Sequence, residues 1–286
     1  MLTRASKCPT KIMQEVANLV YKHQDFLKEN LPLSKGPTDV SKALTASDSW
    51  FVWANRQATA IFKLEISGRM ATVSEICMSD DSFEAVSSGL RGELRAMKIS
   101  NLTLRVPPAE AERWTARGFR RGLVFVKLSR APRESNMMPL LPLINATQKE
   151  IPLLSQLLYA AYAKTNSFSD VQSAEDSLRT TMSGARGTYL SNASFASGAL
   201  TNLVSACLLT SDVPGEAKID QLFTHPLYRA RGLATTEIAA AMNQLSASGF
   251  TSLTVWKRES NDVVRRLFAK MGFRQERTVL EMSLTI

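Results

Sequence analysis

From Phe223 to Ala234 the chain reads Phe-Thr-His-Pro-Leu-Tyr-Arg-Ala-Arg-Gly-Leu-Ala, residue types whose order suits the capture of an anion. Upstream, Ala217 to Thr224 is a strand pattern, and Pro226, with no N–H to give, must end it. Downstream, Ala234, Ile238, Ala241 and Leu245 recur at helical spacing, an apolar stripe that needs a sheet to pack on. A tight turn that runs into a helix leaves its first main-chain N–H groups unpaired and points them, with the positive end of the helix dipole, at one place. The amides would come from Ala230, Arg231, Gly232, Leu233, Ala234 and Thr235. Gly232 lets the backbone approach a ligand without a Cβ in the way, Ala234 adds little bulk, and Arg229 and Arg231 add positive charge.

Arg229-x-x-Gly232-x-Ala234, after a strand ending in His-Pro, resembles the pyrophosphate-binding signature of the GNAT superfamily of acyl-CoA-dependent N-acetyltransferases. A second strand from Thr251 to Trp256 follows. Next come Asn261, a helix with Val264, Leu267, Phe268 and Met271 on one face, and Gly272-Phe273, an order similar to the family's next motif. The resemblance runs from about Glu216 to Glu281. It implies a mixed, twisted sheet flanked by helices, acetyl-CoA as cosubstrate and an amine as acceptor. It further implies a bulge over Leu222, Phe223 and Thr224 whose free N–H groups meet the thioester carbonyl and the pantetheine arm. Asn261, whose simpler role is to cap its helix, would also lie against the cofactor arm. Phe268 stands where the family often has a tyrosine that protonates the leaving thiolate, and a phenylalanine has no proton to give. Solvent or another hydroxyl would then do that work, or the protein would bind acetyl-CoA without turnover.

The residues leave several carboxylates for the proton of the attacking amine. Asp220 lies on the strand, two residues before the expected oxyanion donor, and is the catalytic candidate. Its plainer reading is a surface acid on a strand, and a bulge would reset the face on which it points. Glu216 and Glu281 are alternatives that could also hold a cationic amine. His225 reads as a turn residue beside Pro226, and His23 has no visible partner. Two distant histidines and no Cys-x-x-Cys spacing predict no metal site.

Composition sets the outer limits. A chain of 286 residues, 44% hydrophobic and 21% charged, has globular character and room for two cores. Three cysteines close no disulfide framework, the N-terminus lacks the apolar run of a signal peptide, and no stretch is long and apolar enough to span a bilayer, so a soluble cytoplasmic protein is expected. The net charge of +9 is uneven, with 21 basic against 14 acidic residues in 1–136 and 14 against 12 in the remainder. The basic residues are scattered, without the clustering and aromatic interleaving of a nucleic-acid surface, and are read as a solvated face. No pattern in the sequence specifies an oligomeric state.

Ile12 to Leu31 has helical spacing, and Thr38 or Asp39 could cap a short helix after it. Trp50 to Trp53, Ala58 to Glu65 and Met70 to Met78 read as strands, with turns at Asn55-Arg56 and Ser67-Gly68. A helix from Ser82 to Met97, a strand from Leu102 to Val106, a short helix closed by Gly118-Phe119 and a strand from Leu123 to Leu128 follow. In the second half Lys149 to Ala163 and Ala174 to Met182 read as helices, and Tyr189 to Ala196 and Leu200 to Leu209 as strands about a Ser197-Gly198 turn. The halves share one succession of elements, and Trp114 to Arg120 aligns without gaps to Phe268 to Arg274. This predicts an α/β (α+β) protein of two GNAT-like domains, 1–130 and 137–286, joined near Ser129 to Asn136. The first copy has Asp80 and Asp81 at its strand-to-helix junction, where the second has arginines, and is expected to be degenerate and not to bind CoA. Two functions remain open: an N-acetyltransferase active in its C-terminal domain, or a non-catalytic CoA-binding sensor.

Overall fold

The computed structural model describes residues 2–23, 26, 30, 31, 34–45, 50–54, 59–165, 167–199 and 201–286. The chain falls into two compact units, Met1–Val126 with Arg258–Ser260 and Thr278–Ile286, and Lys127–Lys257 with Asn261–Arg277.

In the first unit, β1 (Leu2–Arg4), α1 (Thr10–Lys22) and α2 (Pro37–Thr45) precede β2 (Trp50–Ala54), β3 (Thr59–Ser67) and β4 (Met70–Met78). Met13, Val16, Ala17 and Val20 line the buried face of α1. This helix is shorter than its apolar spacing predicts, ending at Lys22, and residues 24, 25 and 27–29 lie outside those described. Proline opens α2, where its missing N–H costs nothing, so Thr38 and Asp39 fall inside the first turn and not at the cap; Asp39 accepts from the Lys35 N–H at 3.1 Å. The expected Asn55-Arg56 turn lies outside the described residues, whereas Gly68 turns with φ 58° as predicted.

β4 pairs antiparallel with β3 and parallel with β5 (Asn101–Val106). The parallel pair needs a crossover, which α3 (Phe83–Ala96) supplies. α4 (Ala111–Thr115) and β6 (Arg120–Arg130) follow. Successive strand residues point to opposite faces, so Val52 and Ile61 join α1 and α2 in one core while Trp53 and Phe62 join α3, α4 and Trp114 in another. Residues 280–285 of the last strand pair antiparallel with β5, so Thr278–Ile286 groups with this unit although its sequence continues from the second.

In the second unit, β7 (Leu143–Asn145), α5 (Ile151–Tyr162) and α6 (Val171–Met182) come first. Capping boxes start both helical segments, Thr147 with Glu150 and Asp170 with Ser173. β8 (Thr188–Tyr189), β9 (Phe195–Ala199), β10 (Asn202–Val213), β11 (Glu216–Thr224), α7 (Leu233–Ala247), β12 (Ser252–Arg258), α8 (Asp262–Lys270) and β13 (Arg274–Thr285) complete the chain. Strand order is β12-β11-β10-β9-β7, antiparallel except for the β11–β12 pair. β10 is buried from Leu203 to Thr210, a central strand covered on both faces, as its apolar run predicts.

One strand expectation fails. Tyr189 to Ala196 is not continuous but splits into β8, a single helical turn at Ser191–Ala193 and the start of β9. Ser197 and Gly198 lie within β9 and do not form its turn. A Cβ on Gly198 would stand 2.4 Å from the Asn202 carbonyl oxygen, so the glycine serves close approach of two strands.

Candidate functional site

The ladder between β11 and β12 begins at Glu216↔Ser252 and ends at Ile219↔Val255, while β11 runs on to Thr224 and β12 to Arg258. Beyond that point the facing edges of two parallel strands lie outside the ladder. The cause is visible on the other side of β11: Leu208 pairs with Gln221 and Leu209 with Ile219, so Asp220 is an extra residue, a bulge that turns the strand. The bulge therefore falls on Asp220 and not on Leu222 to Thr224, which keep regular partners in Cys207, Ala206 and Ser205. Phe223 is buried with α5 and α6, and Leu222 and Thr224 are half-buried.

The turn after β11 has the shape its sequence predicts. His225 caps a short helical turn by accepting from the Leu227 N–H at 3.3 Å, and its ring meets the Tyr228 ring edge-on. Ala230 and Gly232 both take left-handed backbone, φ 59° and 85°, an uncommon choice for a residue with a Cβ. Gly232 is the N-cap of α7 and supplies no side-chain cap, so the first N–H groups of the helix, on Leu233, Ala234 and Thr235, lack an intrahelical partner. A Cβ on Gly232 would come within 3.1 Å of the Leu140 side chain. Arg231 is exposed, its guanidinium 5.2 Å from the Tyr228 ring centroid. Arg229 is turned elsewhere: Nε donates to the Thr224 carbonyl at 3.2 Å and Nη2 to the Ala161 carbonyl at 2.5 Å, which ties the turn to α5.

Asp220 accepts from Thr181 Oγ1 at 2.7 Å and lies 3.4 Å from Arg186 Nη1 and 3.8 Å from Lys218 Nζ. It is thus a paired acid facing α6. Glu216 is bound by Lys127 at 3.1 Å and by Thr254 Oγ1 at 3.1 Å. Burial works against the Lys127 ammonium, but the charges and hydrogen bonds of Glu216 and Glu276 outweigh it and hold its pKa above the ordinary value. Glu281 belongs to the first unit, 4.0 Å from Arg105, so it does not join the other acids in one unit.

Asn261 Oδ1 accepts from the Val264 N–H at 3.2 Å and caps α8 as expected. Phe268 is fully buried, its ring 4.8 Å from that of Phe273 at 72°. Its place is in the core, with no exposed edge.

One group escaped the sequence reading. Glu237, on the inner face of α7, is 0% exposed, with Ser197 and Ser205 hydroxyls on its two oxygens. The signal was its position four residues after Leu233 and four before Ala241, on the flank of the apolar stripe. Among the described residues no group of three or more His, Cys, Asp or Glu side chains could hold a metal ion, and no helix is long and apolar enough to cross a membrane.

Comparison with known proteins bears on the same segment. Residues 161–273 match the family model described as acetyltransferase (GNAT) family. The [ribosomal protein bS18]-alanine N-acetyltransferase of Haemophilus ducreyi is 35% identical over 60 residues, 21% of this chain and 41% of that protein. The chain thus spans less than half of that curated relative. Among solved structures, the GCN5-related N-acetyltransferase of Sphaerobacter thermophilus superposes with a TM-score of 0.72 at 11% identity, covering 100% of this chain and 95% of that one. A tandem GNAT protein from the clavulanic acid biosynthesis pathway superposes with a TM-score of 0.62 at 14% identity, covering 95% and 96%. At such identities these likenesses speak for the fold. Strand edges outside their ladder, a left-handed turn at an uncapped helix and the matched segment coincide, and the C-terminal region of this chain carries a GNAT acetyltransferase domain.

Proposed function

We propose that the protein transfers an acetyl group from acetyl-CoA to an amine, at a site formed in the second unit by the end of β11 and the start of α7. The observation that carries this reading is the coincidence, at one end of β11, of an open strand edge and an uncapped helix start entered through left-handed Ala230 and Gly232. Main-chain N–H groups from Ala230 to Thr235 would hold the pyrophosphate, with Arg231 adding charge. The open edge of β11 at Leu222 to Thr224 would take the pantetheine arm as a neighbouring strand is taken, and a free N–H there would stabilise the oxyanion. Asn261 would lie against the arm beyond its capping bond.

In the reaction the amine nitrogen bonds to the thioester carbonyl carbon, the carbon–sulfur bond breaks and the amine loses a proton. Asp220 is the proposed route for that proton. Its Thr181 bond and the flanking Arg186 and Lys218 fix its position, and they favour relay through water over direct contact. In this reading the domains are 1–130 and 137–286, with the first copy degenerate.

The second reading, a CoA-binding sensor, is favoured by Phe268, whose buried ring offers no hydroxyl to the departing sulfur. The two separate by turnover. Release of free CoA thiol from acetyl-CoA is measured with a panel of amines that includes a peptide with N-terminal alanine, the acceptor named for the Haemophilus relative. Amine-dependent release supports the transferase. Calorimetric binding of acetyl-CoA with no release for any amine supports the sensor, and absence of binding removes both.

A further inference from the structure

Glu237 is the fully buried acid of α7, and nothing in the acyl-CoA site as described uses it. Ser197 Oγ donates to its Oε1 at 2.5 Å, and Ser205 Oγ lies 2.9 Å from its Oε2. Ser205 Oγ is also 2.9 Å from Thr224 Oγ1 and 3.3 Å from the Phe223 carbonyl oxygen. Thr224 in turn offers its carbonyl to Arg229 Nε. One side chain thereby joins the helix whose first turn is uncapped to the terminus of the strand whose edge is open. Resting on the acetyl-CoA reading above, we propose that Glu237 is a positioning residue of that site: its neutral carboxyl gives a proton to Ser205 Oγ, which frees the Ser205 hydroxyl to donate to Thr224 Oγ1 or the Phe223 carbonyl and so sets the end of β11 against the first turns of α7. The ionised carboxylate has no proton to give, claims the Ser205 hydroxyl for itself and releases that setting.

The surroundings favour the neutral carboxyl. Ser197 faces it from β9, Ser205 and the Cys207 thiol from β10, and Thr224 from β11 beyond Ser205. The packed turn Ser191–Ala193 carries no ionisable side chain. None of these groups is cationic, and an ionised carboxylate in an apolar interior without a cation is costly. Burial pushes the Glu237 carboxyl up to about 8, against the smaller opposing pull of the Ser197 and Ser205 hydroxyls. Burial, then the charge of Glu237, pushes the Cys207 thiol well above its ordinary value. The folded value lies above the unfolded one of 4.5, so the native state keeps a proton that the unfolded chain has lost. The resulting penalty on stability grows as pH rises from the unfolded value to about 8 and levels off above it. A neutral carboxyl has one donor and one acceptor oxygen, and a glutamine amide can fill both places with an N–H and its carbonyl oxygen while having no charge to gain.

The test is calorimetry with acetyl-CoA, which has no free thiol to titrate, from about pH 6.5 to about pH 9.5, with thermal unfolding as the check on folding. In the wild type, affinity weakens as pH passes through about 8. At neutral pH, Glu237→Ala weakens binding about 10-fold, the scale of one lost hydrogen bond at a binding site. Glu237→Gln recovers most of that loss and removes the pH step. Ser205→Ala leaves the Ser197 bond in place yet weakens binding about as much as Glu237→Ala. It carries the test if Glu237→Ala fails to fold. Superimposable pH profiles for wild type and Glu237→Gln, with Ser205→Ala binding as the wild type does, overturn the proposal while leaving the acetyl-CoA site intact. A wild type that binds no acetyl-CoA at neutral pH overturns the site itself, and the proposal with it.

Discussion

The junction between β4 and α3 and the junction between β11 and α7 begin alike and end in opposite chemistry. In each, a strand is antiparallel to the one before it and parallel to the one after the helix, and in each the parallel ladder stops early, at Val73↔Leu104 and at Ile219↔Val255. An extra residue interrupts the antiparallel side in both, near Glu75 with φ 51° and at Asp220. The turns then diverge. In the second unit Ala230 and Gly232 are left-handed and exposed, and the helix start lacks a cap. In the first, Asp80–Ser82 form a helical turn, Phe83 is buried, and Arg113 lies 3.8 Å over the Phe83 ring while donating to the Asp80 carboxylate and carbonyl, each at 2.8 Å. A similar strand geometry is thus followed in one unit by an exposed left-handed turn and in the other by a helical turn, beside Asp80 and Arg113, that runs straight into α3, although neither helix start carries a side-chain cap. On the proposed reading, the strand arrangement alone would not make an anion site; the backbone of the turn and the sign of its charges would.

The largest effect expected follows from closing the open turn. Gly232→Val puts a Cβ on a left-handed residue and into the space before the helix, and acetyl-CoA affinity should fall by about 100-fold or more by calorimetry. Thermal unfolding must accompany it, since left-handed backbone costs a β-branched residue about 1–2 kcal/mol. An unchanged affinity in the folded variant would erase the contrast between the two turns. A smaller effect is expected at the aligned positions Trp114 and Phe268, both fully buried. Phe268→Tyr should destabilise by about 1–3 kcal/mol, the cost of a buried hydroxyl without a partner, and should not raise turnover. A rise in kcat would instead mean that the ring meets the departing sulfur. Least of all should follow from Asp80→Ala. It removes the Arg113 pair on a 96% exposed side chain, so the unfolding temperature should barely move and acetyl-CoA binding should not change.

Much of this was legible in the sequence because local rules dominate it. The apolar run of β10, the stripe of α7 and the Asn261 cap are each decided by a few neighbouring residues, and each is found where expected. The bulge was misplaced because its position depends on the register between β10 and β11, which no single strand encodes. Asp220 looked free for the same reason: Thr181 and Arg186 reach it from distant parts of the chain. Arg229 reads as a ligand for a phosphate, but two carbonyls, one on α5, claim its guanidinium. The destination of Thr278–Ile286 was equally hidden, since its partner strand, β5, lies far back in the chain. Glu237 was passed over because an acid on the flank of an apolar stripe reads as solvated until the serines facing it from β9 and β10 are known.

Calorimetric titration of the full chain with acetyl-CoA at neutral pH tests the contrast between the two turns most directly. The account predicts one molecule bound per chain, with binding lost in Gly232→Val and kept in Asp80→Ala. Two equivalent sites, or a single site that survives Gly232→Val and fails in Asp80→Ala, would contradict it.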